Sequence, residues 1–161
     1  MNTLNDLINS LKKGLCLVTA GSIDDFNTMT IGWATFGCVW SRNVCIVYVK
    51  PNRYTYQFME KNDFFTVSFY DETYKKEMAY LGSRSGRDCD KVKDCNFSPV
   101  SIDKFNTVSF KEAKYTIVCK KIYFDDLDNG VLEEIEKRYY GNEPYHRFYI
   151  GEIYMETNSL N

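Results

Sequence analysis

Apolar positions in this chain repeat with two periods. Leu4, Leu7, Ile8 and Leu11 recur at helical spacing and predict an amphipathic helix over the first dozen residues, stopped by Gly14. Residues 15–20 read as a strand, residues 21–25 (GSIDD) as turn chemistry, and residues 27–36 as a second strand pairing back on the first. Gly37 is expected to end that strand or mark a bulge, with Arg42-Asn43 turning the chain into the unbroken apolar run Val44-Cys45-Ile46-Val47-Tyr48-Val49. That run is long enough for one strand buried on both faces. Lys50-Pro51 ends it, since proline has no N–H for a ladder and pushes the preceding residue out of helical space. Tyr54 and Phe58, four apart, predict a short helix with Asn52 as its N-cap.

Further on, FFTVSFY (residues 64–70) alternates as a half-buried strand would. Asp71 or Thr73 is expected to cap a helix from about Glu72 to Leu81, with Tyr74, Met78 and Leu81 on one face. A small, basic, flexible stretch at residues 82–88 precedes a second short helix near residues 88–94. Residues 113–124 form the longest strand candidate, with a turn at 125–130, one or two helical turns at 132–139, and a closing strand at 148–156. No linker, repeat or low-complexity tract interrupts the pattern, so residues 1–161 read as a single domain. Strands dominate and short helices sit at corners. The expected fold is mainly β with inserted helices, a β-barrel with helical excursions.

Composition narrows the function classes. A formal net charge of −2 without a basic block argues against nucleic-acid binding, which needs a dense cationic face. The 13 Tyr, 11 Phe and 2 Trp suit strands and subunit interfaces, and also the pocket of a flat ring ligand. Six cysteines without a C-x-x-C pair, beside one histidine, make a metal site of the usual zinc spacing unexpected. Cys45 and Cys119 lie inside apolar runs, where cysteine behaves as a small hydrophobe. The first residues lack a signal-peptide pattern and no apolar run approaches a bilayer span, so the expectation is a cytoplasmic protein with reduced thiols and no membrane partner.

Three segments carry candidate chemistry. Arg53 and Thr55 follow a strand at a predicted helix start, where free N–H groups, a guanidinium and a hydroxyl together suit a phosphate. An ordinary strand–turn–helix with a solvated arginine accounts for the same local pattern. Asn27, Thr28 and Thr30 offer donors and acceptors suited to the edge of a heterocycle, and Gly32 allows close backbone approach; an exposed threonine-rich strand face is the alternative. GSRSGRDCDK (residues 82–91) joins flexible glycines to donor serines and arginines, without the G-K-[ST] of a Walker motif, and also reads as a solvated loop.

Taken in order, these segments resemble the flavin reductase-like family, whose members adopt a Greek-key-like FMN-binding split barrel. The resemblance runs from about residue 14 to 153. It is densest in NTMTIGWATFG (27–37), VYVKPNRYTYQFMEKNDFFTVSFYDE (47–72), GSRSGRDCDK (82–91) and YHRFYIGEI (145–153). Within the family the chain looks closest to the flavoredoxin-like branch. The resemblance implies that Asn27, Thr28, Met29 and Thr30 lie on a strand running past the isoalloxazine ring, with Gly32 and Trp33 following. It implies that Arg53 and Thr55 grip the FMN phosphate in a P-x-R-x-T turn, and that Ser85, Gly86, Arg87 and Lys91 form the S-G-R-D-x-D-K loop near the flavin. His146 matches a histidine near the cleft, although a lone histidine is as often structural. Arg84 and Cys89 depart from the family pattern, and an unpaired loop cysteine is weak ground for a thiol role.

The resemblance further implies chemistry on FMN rather than on a side chain, with NADH or NADPH as co-substrate. It also implies a homodimer with FMN near its interface. The leading expectation is an NAD(P)H-dependent flavin reductase-like oxidoreductase that passes electrons to a small-molecule or protein acceptor. Two others stand beside it: an FMN-binding electron carrier reduced by a protein partner, and a split barrel that has lost flavin and takes another ligand such as haem.

Overall fold

The computed structural model describes residues 3–158. Helix α1 (Leu4–Lys12) starts at a reciprocal cap in which the Thr3 side chain accepts from the Asp6 N–H and Asp6 accepts from the Thr3 N–H. The strands are β1 (Cys16–Ser22), β2 (Asp25–Thr30), β3 (Ala34–Val39), β4 (Arg42–Val49), β5 (Phe64–Phe69), β6 (Pro99–Ile102), β7 (Thr107–Phe110), β8 (Tyr115–Asp126) and β9 (Arg147–Asn158). Helices α2 (Tyr54–Lys61), α3 (Lys75–Ser83), α4 (Lys91–Asp94) and α5 (Glu133–Tyr139) fill the connections. Seven strands form one antiparallel sheet in the order β2-β1-β5-β8-β9-β4-β3, and β6 and β7 form a separate hairpin. The edge strands are neighbours in sequence, so the sheet curls round until residues 31–33 bridge its two edges. This is the split-barrel architecture.

The barrel interior is apolar: Cys16, Val18, Ala20, Cys45, Val47, Val49, Phe65, Val67, Phe69, Ile117 and Cys119 are all buried there. A second cluster, including Leu17, Tyr70, Met78, Leu81, Phe97 and Phe110, lies between the outer face of β1, helix α3 and the β6–β7 hairpin. Burial of both its faces explains why β5 is not the half-buried strand that alternation predicts. The hydroxyls of its polar face are satisfied internally: Thr66 donates to the Val108 carbonyl (2.6 Å), and Ser68 pairs with Ser109 (3.0 Å) and Thr116 (3.1 Å). The hairpin that covers them is not anticipated from the sequence.

Several predicted boundaries move. The single strand expected over residues 27–36 is two strands, β2 and β3, on opposite edges of the sheet. The Ile31 N–H bonds the Cys16 carbonyl (2.9 Å) and its side chain is buried, after which the chain leaves β1 and pairs with β4. The turn expected at Arg42-Asn43 lies at Trp40-Ser41, both with positive φ (52° and 58°), the two-residue hairpin whose twist matches its strands. Gly37 lies within β3 instead of ending it. The helix expected from Glu72 begins as a 3-10 turn, Glu72–Tyr74, before α3; Asp71 makes no cap and pairs with Lys114 (2.8 Å). The helix expected near residues 88–94 is the single turn α4, capped by Asp90. The strand expected over 113–124 extends through Asp126 because β9 pairs with it that far, past two register shifts that bend the long hairpin. Among the described residues no helix is long and apolar enough to cross a membrane.

Candidate functional site

Helix α2 is held by its far end, which aims its N-terminus. The Lys121 ammonium donates to the carbonyls of Met59 (2.6 Å) and Glu60 (2.9 Å), the last-turn acceptors that a cation satisfies best. Glu60 also accepts from Tyr149 (2.7 Å) and pairs with Arg147 (3.1 Å), which forks onto Asp126 through 2.7 and 3.0 Å bonds. At the other end the N-cap is Arg53, not the expected Asn52, and no side chain caps the helix. Asn52 reaches Glu143 instead (3.1 Å). The Tyr56 N–H turns back to the Arg53 carbonyl (3.1 Å), which leaves the N–H groups of Tyr54 and Thr55 to a cleft of about 250 Å³ that Arg53, Tyr54 and Thr55 line.

The opposite wall of this cleft is the loop after α3. Gly86 passes so close to β2 that a Cβ there would lie 2.3 Å from Asn27 Oδ1 and 3.1 Å from Tyr54 Cδ1. Asn27 in turn donates to Thr55 Oγ1 (2.7 Å), so strand, helix and loop meet at one buried contact. Ser85 Oγ accepts from the Arg87 N–H (3.2 Å), and the Arg87 guanidinium lies 4.8 Å over the Tyr54 ring. Lys91 is buried and donates to the carbonyls of Leu81 (2.9 Å) and Arg84 (3.0 Å). Burial and the nearby Arg53 charge lower it to about 8, so it remains an ammonium at neutral pH. Its bonds shape the loop. Lys91→Met should leave both carbonyls without their donor and lower stability by about 1–3 kcal/mol, read as a shift of the urea midpoint.

A second cleft of about 210 Å³ continues from the first, Met29 and Arg53 lining both. Its walls are the bridge between the barrel edges (Ile31, Gly32, Trp33), Tyr48 and Lys50 from the end of β4, and His146. The Trp33 ring meets His146 at 4.6 Å, Tyr139 at 5.5 Å and Tyr48 at 6.4 Å. His146 Nδ1 shares a hydrogen bond with the Tyr140 hydroxyl (3.2 Å). Burial first, and the charges of Lys50 and Arg53 second, push His146 down from 6.5 to about 4. The folded protein thus favours the neutral ring. The stability this contributes is complete above pH 6.5 and is lost as pH falls through about 4. Urea midpoints taken from pH 7 to pH 4 should fall more steeply in the wild type than in His146→Phe.

The structure brings Asn27, Met29, Thr30, Gly32, Trp33, Arg53, Thr55, Ser85, Arg87, Lys91 and His146 to these two clefts, while Gly86 packs against Asn27 and lines a neighbouring cavity instead. It sets Thr28 apart: its hydroxyl is buried on Val18 O (3.1 Å) and Thr19 Oγ1 (2.8 Å), because β2 alternates and position 28 lies on the sheet face opposite Asn27 and Met29. Thr30 lines the second cleft, but its hydroxyl donates to the Met78 carbonyl (2.5 Å) and ties β2 to α3. Tyr48, Lys50, Tyr54 and Arg84 also line the clefts and escaped the sequence reading. One signal for Tyr48 and Lys50 was available, a polar-tipped aromatic and a cation closing an otherwise aliphatic strand. Cys89 is half-buried with its thiol against the Ser85 carbonyl (3.7 Å). Among the described residues no cluster of His, Cys, Asp and Glu is arranged to hold a metal ion.

A trough with Arg53, Arg84, Arg87 and Lys50 along it, in a chain of net charge −2, is built for an anion, and its aromatic end suits a flat ring. Residues 8–152 match the family described as the flavin reductase like domain, and the chain belongs to that flavin-binding family. Among solved structures it is similar to the flavoredoxin of Desulfovibrio vulgaris (Miyazaki F), at 23% identity and TM-score 0.70 over 90% of this chain and 69% of that one. It is also similar to an FMN-binding domain of a flavin reductases-like enzyme from Shewanella baltica OS155 (17% identity, TM-score 0.69, 98% and 75% covered). A third likeness is to the NADH:FAD oxidoreductase of Streptomyces globisporus C-1027 (17% identity, TM-score 0.66, 90% and 74% covered). The curated protein sequences contain no match. The residues present fit a flavin mononucleotide: guanidinium, hydroxyl and helix-start N–H donors line one end, and the aromatic rings of Trp33 and Tyr48 line the other.

Proposed function

We propose that the protein is an NAD(P)H-dependent oxidoreductase that keeps FMN in the joined clefts and works as a homodimer. The observation that carries this reading is Arg53. It stands at an uncapped helix start, where the two clefts join, and its side chain has no hydrogen-bond or ion-pair partner among the described residues. A cation left unpaired at such a joint is matched by a phosphate at one end of a flat ring ligand. Bound FMN would supply hydride acceptance at its N5 atom and delivery of electrons to an acceptor.

The chain's own part is to hold, orient and shield. Arg53, Ser85 and Arg87 bind the phosphate. The backbone at residues 32–33, outside the strand ladders, faces the ring side and favours the negative charge that grows there on reduction. Trp33 and His146 exclude water, and the neutral imidazole adds no competing charge. Beside the ring-side cleft, exposed Trp33, Leu132 and Tyr139 border an apolar groove of about 630 Å³, which supports coverage by a second copy. The deciding measurement is an anaerobic visible spectrum of FMN-reconstituted protein before and after NADH and then NADPH. Rapid bleaching is expected. Bound flavin that neither nucleotide reduces would make the protein an electron carrier, and failure to take up FMN would overturn the reading.

A further inference from the structure

Pro51 is the second residue of a turn that the Arg53 N–H closes on the Lys50 carbonyl (3.0 Å). The turn divides two cations. Arg53 stands where the clefts join, while Lys50 lines only the ring-side cleft, beside Trp33, Tyr48 and His146. The Lys50 side chain is 15% exposed, yet its ammonium makes no hydrogen bond among the described residues. Its partners are loose. The Glu143 carboxylate lies 3.7 Å away, is itself 61% exposed and also accepts from Asn52 (3.1 Å); the Tyr140 ring lies at 5.7 Å. His146, the neighbouring titratable group in the cleft, is kept neutral by burial and by the charges of Lys50 and Arg53. Lys91 and Lys121 show the contrast, since each donates to two backbone carbonyls and is spent on structure. An ammonium taken largely out of water with three donors and one screened partner is costly unless another anion meets it.

We infer that Lys50 sets the reduction potential of the bound flavin, its ammonium being held for the negative charge that the ring gains on reduction. The inference rests on the flavin reading for these clefts. Two electrons and one proton entering a neutral ring leave one negative charge on it. The phosphate carries the same charge in both states and belongs to the other end, with Arg53, Ser85 and Arg87, so those residues hold the two states alike. A cation confined to the ring end does not. Trp33, Tyr48 and Tyr140 surround Lys50 with aromatic surface, which limits the water that would screen it. Lys50 therefore binds the reduced ring more tightly than the oxidised one, and by linkage the same factor raises the potential. Glu143 and Tyr140, on the connection between α5 and β9, keep the ammonium at its post without using its donors.

The test measures the midpoint potential of FMN-loaded protein by anaerobic dithionite titration against a reference dye, together with FMN dissociation constants in the oxidised and reduced states. Lys50→Met should weaken reduced FMN about tenfold more than oxidised FMN, which lowers the two-electron potential by about 30 mV. Lys50→Gln should do the same with a polar tip in place, so the result does not depend on one variant folding. Lys50→Arg should restore the wild-type potential, because the charge returns. Lys104→Met, at an exposed position lining neither cleft, should leave it unchanged. Equal weakening of both states in Lys50→Met, with the potential unmoved, would overturn the inference and leave the flavin reading intact. An equal fall in Lys104→Met would assign the effect to net charge and overturn it as well. Wild-type protein that takes up no FMN would overturn the flavin reading, and this inference with it.

Discussion

Replacing Arg53 by Ala should weaken FMN binding about tenfold to a hundredfold, since a charge-assisted contact to a phosphate is worth about 1.5–3 kcal/mol. Fold stability should change little. The Arg53 side chain has no protein partner to lose among the described residues, and α2 is anchored from its other end by Lys121 and the Glu60–Arg147–Asp126 network. Arg53→Lys should recover only part of the affinity, because an ammonium keeps the charge without the planar fork. Fluorescence titration of apo-protein with FMN, paired with urea unfolding, separates the two effects. An unchanged FMN dissociation constant in Arg53→Ala would move the phosphate site elsewhere.

The other large effect is expected in the barrel wall. Gly151 lies on β9 between Cys45 of β4 and Lys121 of β8. A Cβ there would fall 2.5 Å from Phe65 Cζ and 2.6 Å from Cys119 Cβ. The second clash is the harder to relieve, because a Cβ moves only with its backbone, and both residues are buried in the core. Gly151→Ala should therefore destabilise the protein by about 1–3 kcal/mol or more, the range for overpacking a close-packed interior. Gly37→Ala is the control: it also lies within a strand, yet nothing stands within 4 Å of its added carbon. It should stay within about 0.5 kcal/mol of wild type. A Gly151→Ala protein with an unshifted urea midpoint would mean that the interior is looser than these distances require.

Strand existence was legible in the sequence wherever local pattern and burial agreed. Residues 44–49 read as a doubly buried strand because no polar side chain interrupts them; β4 contains that run, but only the Cys45, Val47 and Val49 face is fully buried, and Ile46 and Tyr48 on the other face are half-buried. Strand burial was legible only in part. Thr66 and Ser68 look like a solvent face, yet the β6–β7 hairpin closes over them, accepting from Thr66 at the Val108 carbonyl and sharing a hydroxyl hydrogen bond between Ser109 and Ser68. A polar face roofed by distant polar groups carries no local mark. Residues 27–36 failed for a related reason. β-propensity is continuous across them, and only pairing with β1 on one side and β4 on the other divides them.

The candidate site follows the same division. Arg53, Thr55 and the loop at residues 82–91 were recognisable from residue type and order, because a phosphate demands particular donors at a helix start. Which of the neighbouring polar groups remain available was decided by packing. Thr28 and Lys91 carry suitable atoms in the sequence, but the fold commits the first to β1 and the second to two loop carbonyls. Tyr48 and Tyr54, with no motif of their own, become walls because β4 and α2 end at the same trough. Residue type and spacing are local properties that a one-dimensional reading can weigh. Which donor is already satisfied, and which aromatic faces a cavity, depends on partners tens of residues away, and only the folded chain brings those together.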